Sequence, residues 1–248
     1  MSPWYKALVF DLMGTCTDWA SSIEGALVSV TSDHHRLESL RSLTIDWRRG
    51  FFEEIHRRFE CGEPQEDIDF THRRVLDRLL QQEKYARLAV ELEEEGRKRL
   101  VQSWHHQNPW PDSVPGLQRL KQKFFIVVLA NGTTRLQLDL VQSSGLPFHT
   151  LFSSQLLELT KPDPAIYLKV TSLLDVKPEE CLMVAAHAYD VRAAATVGMK
   201  TAYIHRTTED PDEDIASIET QQEFDLFIPG TDGTASCGLS RLADVLGA

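Results

Sequence analysis

Near its start the chain reads Ala7-Leu8-Val9-Phe10-Asp11-Leu12-Met13-Gly14-Thr15. The first four residues of this stretch are apolar, which predicts a short buried strand. The strand ends at Asp11, and Gly14 breaks the pattern soon afterwards. Asp11 is therefore predicted to lie at the carboxyl end of a buried strand, and it is the first candidate functional residue.

Further along, the sequence alternates between strand and helix patterns. Apolar runs predict strands at residues 125–129, 151–152, 181–185, 201–204 and 224–228. Helices are predicted between them, at residues 134–144, from Pro164 to about residue 174, and ending before Gly198. Strands that alternate with helices form a parallel sheet. The predicted fold is thus α/β, with a Rossmann-like parallel sheet and helices on both of its faces.

Residues 20–106 have a different character, because they are rich in charge and in helical periodicity. A stripe with helical spacing is formed by Ile68, Val75, Leu76, Leu79 and Leu80. The block lies between the first two predicted strands, which indicates an inserted helical domain. A chain of 248 residues is long enough for one to two domains. We expect a core of residues 1–19 and 107–248 and a helical insertion of residues 20–106.

Charge and cysteine content limit the functional classes. The chain holds 26 Lys and Arg residues against 37 Asp and Glu residues, a net charge of −11, which disfavours general binding to nucleic acid or to anionic membranes. The longest apolar run, residues 124–130, is too short to span a bilayer, and no leader segment is expected. Four widely spaced cysteines predict neither disulfides nor a zinc site and indicate the cytoplasm. The acidic stretch 209–214 lacks the pattern of a calcium loop and predicts a solvated loop.

Polar residues follow four of the predicted strands, at the point where each strand ends. They are Asp11, Asn131, Lys161 and Asp190. Ligands of an open parallel sheet bind beyond these carboxyl ends, so the four side chains define a candidate site. A carboxylate that attacks an electrophilic carbon needs a nearby cation, and a second carboxylate can orient or activate water for the next step.

These residues carry a resemblance to a known family. The run from Phe10 to Thr15 resembles the first motif of the haloacid dehalogenase superfamily. Its second, third and fourth motifs resemble Asn131-Gly132, Lys161-Pro162-Asp163 and Asp190. The helical insertion lies where that superfamily has its cap domain. The resemblance implies that Asp11 is the nucleophile, that Thr15 supports the nucleophile loop, and that Lys161 and Asp190 are catalytic.

Two positions separate the branches of this superfamily. Its magnesium phosphatases have acidic residues where this chain has Met13 and Ala186. The neutral side chains leave an incomplete ligand set for Mg²⁺. The pattern resembles the 2-haloacid dehalogenase branch, which uses no metal, so we expect neither a metal nor another cofactor.

Further residues match that branch. Trp47-Arg48 resembles its Trp-Arg pair, which implies that Arg48 receives the departing halide. Tyr167, six residues after Lys161, matches the tyrosine that follows the third motif. Tyr189 matches an aromatic residue before the last motif, and the resemblance makes both tyrosines candidates for the substrate pocket.

Three positions depart from the pattern of the branch. Ala130 stands where a hydroxyl residue normally holds the substrate carboxylate, and Ala185 and His187 stand where the bacterial dehalogenases have Ser and Asn. A histidine of near-neutral pKa can accept a proton, so His187 is a candidate base. It can equally be a histidine that only hydrogen-bonds the turn.

The resemblance implies a hydrolase that converts a 2-haloalkanoic acid to a 2-hydroxy acid. Asp11 would displace the halide and form an aspartyl ester, which water would cleave with the help of Asp190, Lys161 and His187. The expected substrate contacts are Arg48 and Asn131 at the halide and the main-chain N–H groups of Leu12 and Met13 at the substrate carboxylate.

Two alternatives stay open at this point. One is a magnesium-dependent phosphatase of the same superfamily. The other is a catalytically silent member that binds a small anion or a protein, which the missing hydroxyl at Ala130 suggests. The expected partner is a small 2-haloacid-like substrate, without nucleic acid or membrane, and a homodimer is one option for the assembly.

Overall fold

The computed structural model describes residues 5–31, 37–63, 66–230 and 234–248. The chain divides into two compact units. The core unit consists of Met1–Asp18 and Asn108–Ala248, and the helical unit consists of Trp19–Gln107. Each unit buries apolar residues of its own, as expected of a separate domain.

Eight strands occur in the described part of the chain, and all belong to the core unit. They are β1 (Ala7–Phe10), β2 (Thr17–Asp18), β3 (Asn108–Pro109), β4 (Phe125–Ala130), β5 (Thr150–Ser153), β6 (Cys181–Ala185), β7 (Lys200–His205) and β8 (Leu226–Pro229).

Six of these strands form one parallel sheet in the order β5-β4-β1-β6-β7-β8. β1 lies inside the sheet, and its four residues are fully buried, with β4 on one side and β6 on the other. A strand covered on both faces must be apolar throughout, which explains why residues 7–10 carry no polar side chain. The predicted α/β fold with a parallel sheet is confirmed.

The direction in which strands are added reverses at β1. After β1 the chain adds β4 and β5 on one side, and it then crosses over to add β6, β7 and β8 on the other. A crevice forms at such a switch point, outside the carboxyl ends of the neighbouring strands, and ligands of Rossmann-like sheets bind there. The loops that flank this crevice begin at Asp11, after β1, and at Ala186, after β6.

The helical unit contains α1 (Trp19–Val30), α2 (Leu37–Glu60), α3 (Ile68–Leu80), α4 (Ala86–Glu91) and α5 (Glu94–Ser103). The stripe expected from helical spacing is buried on α3. The ring of His72 stacks on those of Phe51 and Trp104, with centroids 4.0 and 4.3 Å away. The indole N–H of Trp47 donates to the carbonyl of His72 at 2.9 Å. Burial among these rings holds the pKa of His72 well below its usual value, so this histidine is a neutral packing residue.

The core unit contains α6 (Ser113–Leu120), α7 (Thr134–Ser144), α8 (Ser154–Leu157), α9 (Pro164–Leu173), α10 (Ala188–Thr196), α11 (Ile215–Thr220) and α12 (Gly238–Val245). α7 begins where the Thr133 hydroxyl accepts from the N–H of Leu136, and it ends at Gly145, whose φ of +67° lies in the left-handed region. Asp163 caps α9 in the same way. These local signals explain why sequence patterns located both helices. None of the described helices is both long and apolar enough to cross a bilayer.

Two short strands mark the ends of the helical insertion. β2 and β3 pair antiparallel, with Thr17 opposite Pro109 and Asp18 opposite Asn108. β2 directly precedes the helical unit in sequence, and β3 directly follows it. Strands of two residues have no periodicity, so the sequence did not predict this pair.

Candidate active site

Asp11 is the centre of the site. Its main-chain N–H donates to the carbonyl of Val184 at 3.0 Å, and only 6% of the residue is exposed. Oδ1 of its carboxylate accepts a hydrogen bond from Nζ of Lys161 at 2.7 Å, and Oδ2 accepts one from the hydroxyl of Thr15 at 2.7 Å. Both oxygens of this buried carboxylate therefore have donors, which fixes its orientation.

Lys161 joins two buried carboxylates, because its ammonium contacts Asp11 and also donates to Oδ2 of Asp190. Burial opposes the charge on the ammonium, but Asp11 and Asp190 outweigh it and raise the pKa of Lys161. Burial also opposes the charge on Asp11, yet Lys161 and His187 hold the pKa of that carboxyl below its usual value. Asp11 is therefore ionised at neutral pH, as a carboxylate nucleophile must be.

Asp190 lies in the first turn of α10 and has no exposed surface. Its Oδ1 accepts a 2.5 Å hydrogen bond from the hydroxyl of Tyr167, which is fully buried as well. Burial raises the pKa of Asp190 despite the nearby ammonium of Lys161. Tyr167 thus positions Asp190, whereas its place in the sequence implied a residue that lines the substrate pocket.

Asn131 follows β4 and holds the main chain of Lys161. Its side-chain oxygen accepts from the N–H of Lys161 at 2.8 Å and from the hydroxyl of Thr160 at 3.1 Å. Its Nδ2 donates to the carbonyl of Lys161 at 3.0 Å. The contacts that the structure gives Asn131 therefore position the lysine loop, and a contact with halide would use the second N–H of the amide.

Thr15 connects the loops that follow β1 and β6. Its hydroxyl donates to Asp11 and accepts from the main-chain N–H of Ala186 at 2.9 Å. Leu12 and Met13 lie between Asp11 and a turn at residues 14–16. The side chain of Leu12 is buried, so this residue offers a ligand only its main chain.

His187 lies beside Asp11 among carboxylates. Its Nε2 is 3.7 Å from Oδ2 of Asp11 and 3.6 Å from Oε2 of Glu209, and its Nδ1 is 3.5 Å from Oδ1 of Asp210. The half-exposed ring of Tyr189 stacks on it at 5.7 Å between centroids. Burial disfavours the imidazolium, but the three carboxylates outweigh burial and raise the pKa of His187 to about 9. The resting enzyme therefore holds a cation here, whereas the sequence suggested a histidine ready to accept a proton.

Glu209 and Asp210 are functional candidates that the sequence did not reveal. The expectation of a solvated loop at residues 209–214 is wrong for both, since Glu209 is buried and Asp210 is largely so. Asp210 accepts from the N–H of Ala188 at 2.6 Å and from the hydroxyl of Tyr203 at 3.0 Å. Both acidic residues follow β7. Ligands of a parallel sheet bind beyond the carboxyl ends of its strands, and the same argument that located Asp11 could therefore have pointed to Glu209 and Asp210.

A buried ion pair supports the loop that follows β1. Arg206, directly after β7, donates to both carboxylate oxygens of Asp112 at 2.7 and 2.8 Å, and neither side chain is exposed. The guanidinium also donates to the carbonyl of Thr15 at 3.1 Å. The indole N–H of Trp110 donates to the neighbouring carbonyl of Gly14 at 2.8 Å. The loop that carries Thr15 is thus fixed through its main chain as well as through its hydroxyl.

The donor set of the site does not fit Mg²⁺. Ala186 and Met13 supply no carboxylate, and Oδ1 of Asp11 faces the ammonium of Lys161. Across the described ranges, no three His, Cys, Asp or Glu side chains come together as metal ligands would. Mg²⁺ needs near-octahedral oxygen coordination, which these side chains do not provide.

Arg48 lies on α2 of the helical unit and is 8% exposed. Its guanidinium lies 4.4 Å from the ring centroid of Phe52 and 5.2 and 5.9 Å from those of Trp19 and Trp104. Cation–π attraction holds a guanidinium in such surroundings. The adjacent Arg49 is exposed, so the two arginines differ sharply in environment.

A family model described as haloacid dehalogenase-like hydrolase matches residues 5–198. The chain belongs to this family of hydrolases, and the superfamily resemblance drawn from the four motifs is confirmed.

Individual relatives give a finer comparison. (S)-2-haloacid dehalogenase 4A of Burkholderia cepacia is 27% identical over 224 residues, which cover 87% of this chain and 90% of that protein. The crystal structure of an L-2-haloacid dehalogenase matches with a TM-score of 0.80 and 30% identity, covering 98% of this chain and 99% of its own. The crystal structure of a defluorinating L-2-haloacid dehalogenase matches with a TM-score of 0.76 and 28% identity, covering 100% of this chain and 98% of its own. These similarities favour the dehalogenase branch over the phosphatase branch.

Proposed function

We propose that this protein is a 2-haloacid dehalogenase that hydrolyses the carbon–halogen bond of an (S)-2-haloalkanoic acid. The observation that carries the proposal is the ionised carboxylate of Asp11, held between Lys161 and Thr15 in a site without the ligands for Mg²⁺. A carboxylate in this state can attack an electrophilic carbon. Similarity over nearly the whole chain to proteins named (S)- and L-2-haloacid dehalogenases supports the substrate class and its handedness.

In the first half of the reaction, an oxygen of Asp11 attacks the carbon that bears the halogen. A C–O bond forms, the carbon–halogen bond breaks, and the halide leaves with the bonding electrons, so that Asp11 becomes an alkyl ester. The main-chain N–H groups of Leu12 and Met13 hold the substrate carboxylate, because Ala130 has no hydroxyl to do so. Lys161 and Thr15 keep the attacking carboxylate oriented.

Arg48 receives the departing halide. A cation in apolar surroundings attracts an anion strongly, because the low local polarity does little to screen the charges. The aromatic rings around Arg48 provide such surroundings. The helical unit that carries Arg48 acts as the cap domain that its place in the sequence implies.

In the second half, water attacks Cγ of the Asp11 ester. Lys161 lies 2.7 Å from Oδ1 and stabilises negative charge that develops on that oxygen. Asp190, fixed by Lys161 and Tyr167, and His187 orient and activate the water. Loss of the alkoxide releases the 2-hydroxy acid and restores Asp11.

The enzyme works in the cytoplasm. All four cysteines are free thiols, and Cys16, Cys181 and Cys237 are buried. Proteins of oxidising compartments commonly pair their cysteines, whereas free thiols are typical of reducing compartments.

A single turnover in heavy-oxygen water tests the function. With enzyme in excess over (S)-2-chloropropionate, we expect chloride release and heavy oxygen in the Asp11 carboxylate, read by mass spectrometry of the peptide. Asp11→Asn should release no chloride, while Asp212→Asn, at an exposed position, should behave as wild type. Label that appears only in the hydroxy acid would contradict the ester. Phosphate release from a phosphate ester, without any chloride from either enantiomer, would establish the phosphatase alternative.

A further inference from the structure

His187 occupies a place whose electrostatics must change when the ester forms. In the resting site its buried ring faces Asp11 and Glu209 through Nε2 and Asp210 through Nδ1, at 3.7, 3.6 and 3.5 Å. Ester formation removes the charge on Asp11 and leaves the charges on Glu209 and Asp210. The ring thus loses one of its three anionic neighbours halfway through each reaction.

We propose that His187 changes protonation state once in each half-reaction, being an imidazolium before the ester forms and a neutral base afterwards, with Glu209 and Asp210 as its positioning residues. The inference rests on the dehalogenase function proposed above. It adds two residues and a timed proton transfer to that function.

The direction of the change follows from charge and burial. An opposite charge within about 4–6 Å shifts a pKa by roughly 1–3 units toward the charged form. With three carboxylates present the pKa of His187 is about 9. Removal of the Asp11 charge lowers the pKa toward neutrality, and burial of the ring acts in the same direction. The ring then releases its proton at the moment when the ester needs a base.

The surroundings of the ring keep it in place while its charge changes. Asp210 is fixed by the N–H of Ala188 and the hydroxyl of Tyr203, and it holds Nδ1. Nε2 therefore keeps facing Asp11, where water must attack. Tyr189 is a further titratable group against the ring and stacks on its face.

Glu209 reaches the site across a glycine. Gly14 has a φ of +84°, and a Cβ atom at this position would lie 2.5 Å from the carboxyl carbon of Glu209. Any side chain at residue 14 would displace the Glu209 carboxylate. The glycine of the nucleophile loop is therefore a condition for the contact between Glu209 and His187.

The protons balance over the full cycle. When the ester has formed and the halide has left, the imidazolium releases its proton to solvent. The neutral ring then takes a proton from the attacking water, which restores the imidazolium. The second proton of that water passes from the tetrahedral intermediate to the departing alkoxide, so Asp11 is restored as a carboxylate. The net products are the 2-hydroxy acid, the halide and the proton released midway.

Rapid mixing measures when that proton appears. Excess enzyme is mixed with (S)-2-chloropropionate in weak buffer with a pH indicator, near neutral pH. We expect about one proton per ester formed, together with chloride and before the hydroxy acid. Protons that appear only with the hydroxy acid would overturn the proton switch while leaving the dehalogenase intact. Absence of chloride would instead overturn the proposed function.

Variants connect the proton to the named residues. The upper pH limit of the early proton release should lie near the pKa of His187, about 9. In Glu209→Gln this limit should fall by roughly 1 unit, because one anionic neighbour is lost. The exposed Asp212 lies in the same loop, so Asp212→Asn is the matched control and should leave the limit unchanged. An unchanged limit in Glu209→Gln would remove Glu209 from the proposal.

NMR titration of His187 gives a test that does not depend on turnover. Asp11→Asn has the shape of the carboxylate but no charge, so it imitates the electrostatics of the ester. We expect the pKa of His187 to be lower by about 1–3 units in this variant than in wild type. Equal values in the two proteins would overturn the coupling between the residues.

Discussion

Nζ of Lys161 lies 2.7 Å from Oδ1 of Asp11, and the two side chains are 1% and 9% exposed. A buried ammonium in this position keeps the carboxylate ionised, and in the proposed mechanism it stands beside the oxygen that becomes the carbonyl oxygen of the ester. The same ammonium contacts Asp190. Removal of its charge therefore leaves two buried carboxylates without the cation between them.

We predict that Lys161→Met slows ester formation by at least about 100-fold, because the pKa of Asp11 rises when its cation is lost. Halide release in a single turnover measures this step directly. Lys169→Met changes an exposed lysine nearby and should retain wild-type rates. Rapid ester formation in Lys161→Met would show that the lysine is dispensable for attack.

The two adjacent arginines of α2 provide a matched pair. Arg48→Ala should slow halide departure by roughly 100-fold, since a group that stabilises developing charge is removed. Arg49→Ala removes an exposed side chain and should have little effect on activity. Chloride release in the first turnover measures both. A fast first turnover in Arg48→Ala would show that another residue contacts the departing halide.

Replacing both Arg206 and Asp112 should lower the catalytic rate more than it lowers the stability of the fold. Arg206→Met alone leaves a buried carboxylate uncompensated and should destabilise the protein by about 3–5 kcal/mol. Arg206→Met combined with Asp112→Asn removes both charges and should recover most of that loss. The double variant still lacks the donor to the Thr15 carbonyl, so we expect kcat to fall about tenfold with KM little changed. Thermal unfolding and steady-state kinetics together check this, and a wild-type kcat would limit the pair to a structural role.

Metal removal should leave the reaction intact. Since Met13 and Ala186 offer no carboxylate, prolonged treatment with a chelator should change halide release by less than about twofold, and added Mg²⁺ should not raise it. Strict dependence on Mg²⁺ would mean that ligands come from elsewhere and would reopen the phosphatase alternative.

The stability of the fold should fall as pH rises through the alkaline range. The pKa of His187 is about 9 in the folded protein, above the value of about 6.5 for an unfolded chain. A raised pKa contributes stability that is fully present below pH 6.5 and is lost as pH rises toward 9, here on the order of a few kcal/mol. Urea unfolding at several pH values measures the loss. His187→Gln should remove that part of the pH dependence. If the free energy of unfolding of the variant depends on pH as in wild type, the loss of stability belongs to other groups.

Sequence patterns predicted the sheet, the helices that flank it and the strand-end residues, because these follow from local apolar runs, caps and breaks. Asp11, Lys161 and Asp190 meet since parallel strands end at the same edge. Glu209 was misassigned because a run of acidic residues says nothing about the fold of its loop, which brings this carboxylate against Gly14. The charge on His187 depends on loops after three different strands, and no local pattern contains that information.

The antiparallel pair β2–β3 has a consequence for how such a chain can evolve. It brings the two ends of the helical insertion side by side, with Asp18 opposite Asn108. Segments of any length can therefore be exchanged between these points while every register in the parallel sheet is kept. A chain in which Asn-Gly replaces residues 19–107 should fold to the same sheet, which circular dichroism and thermal unfolding would check. The parallel sheet of the core unit and the helical insertion are thus free to change independently of each other.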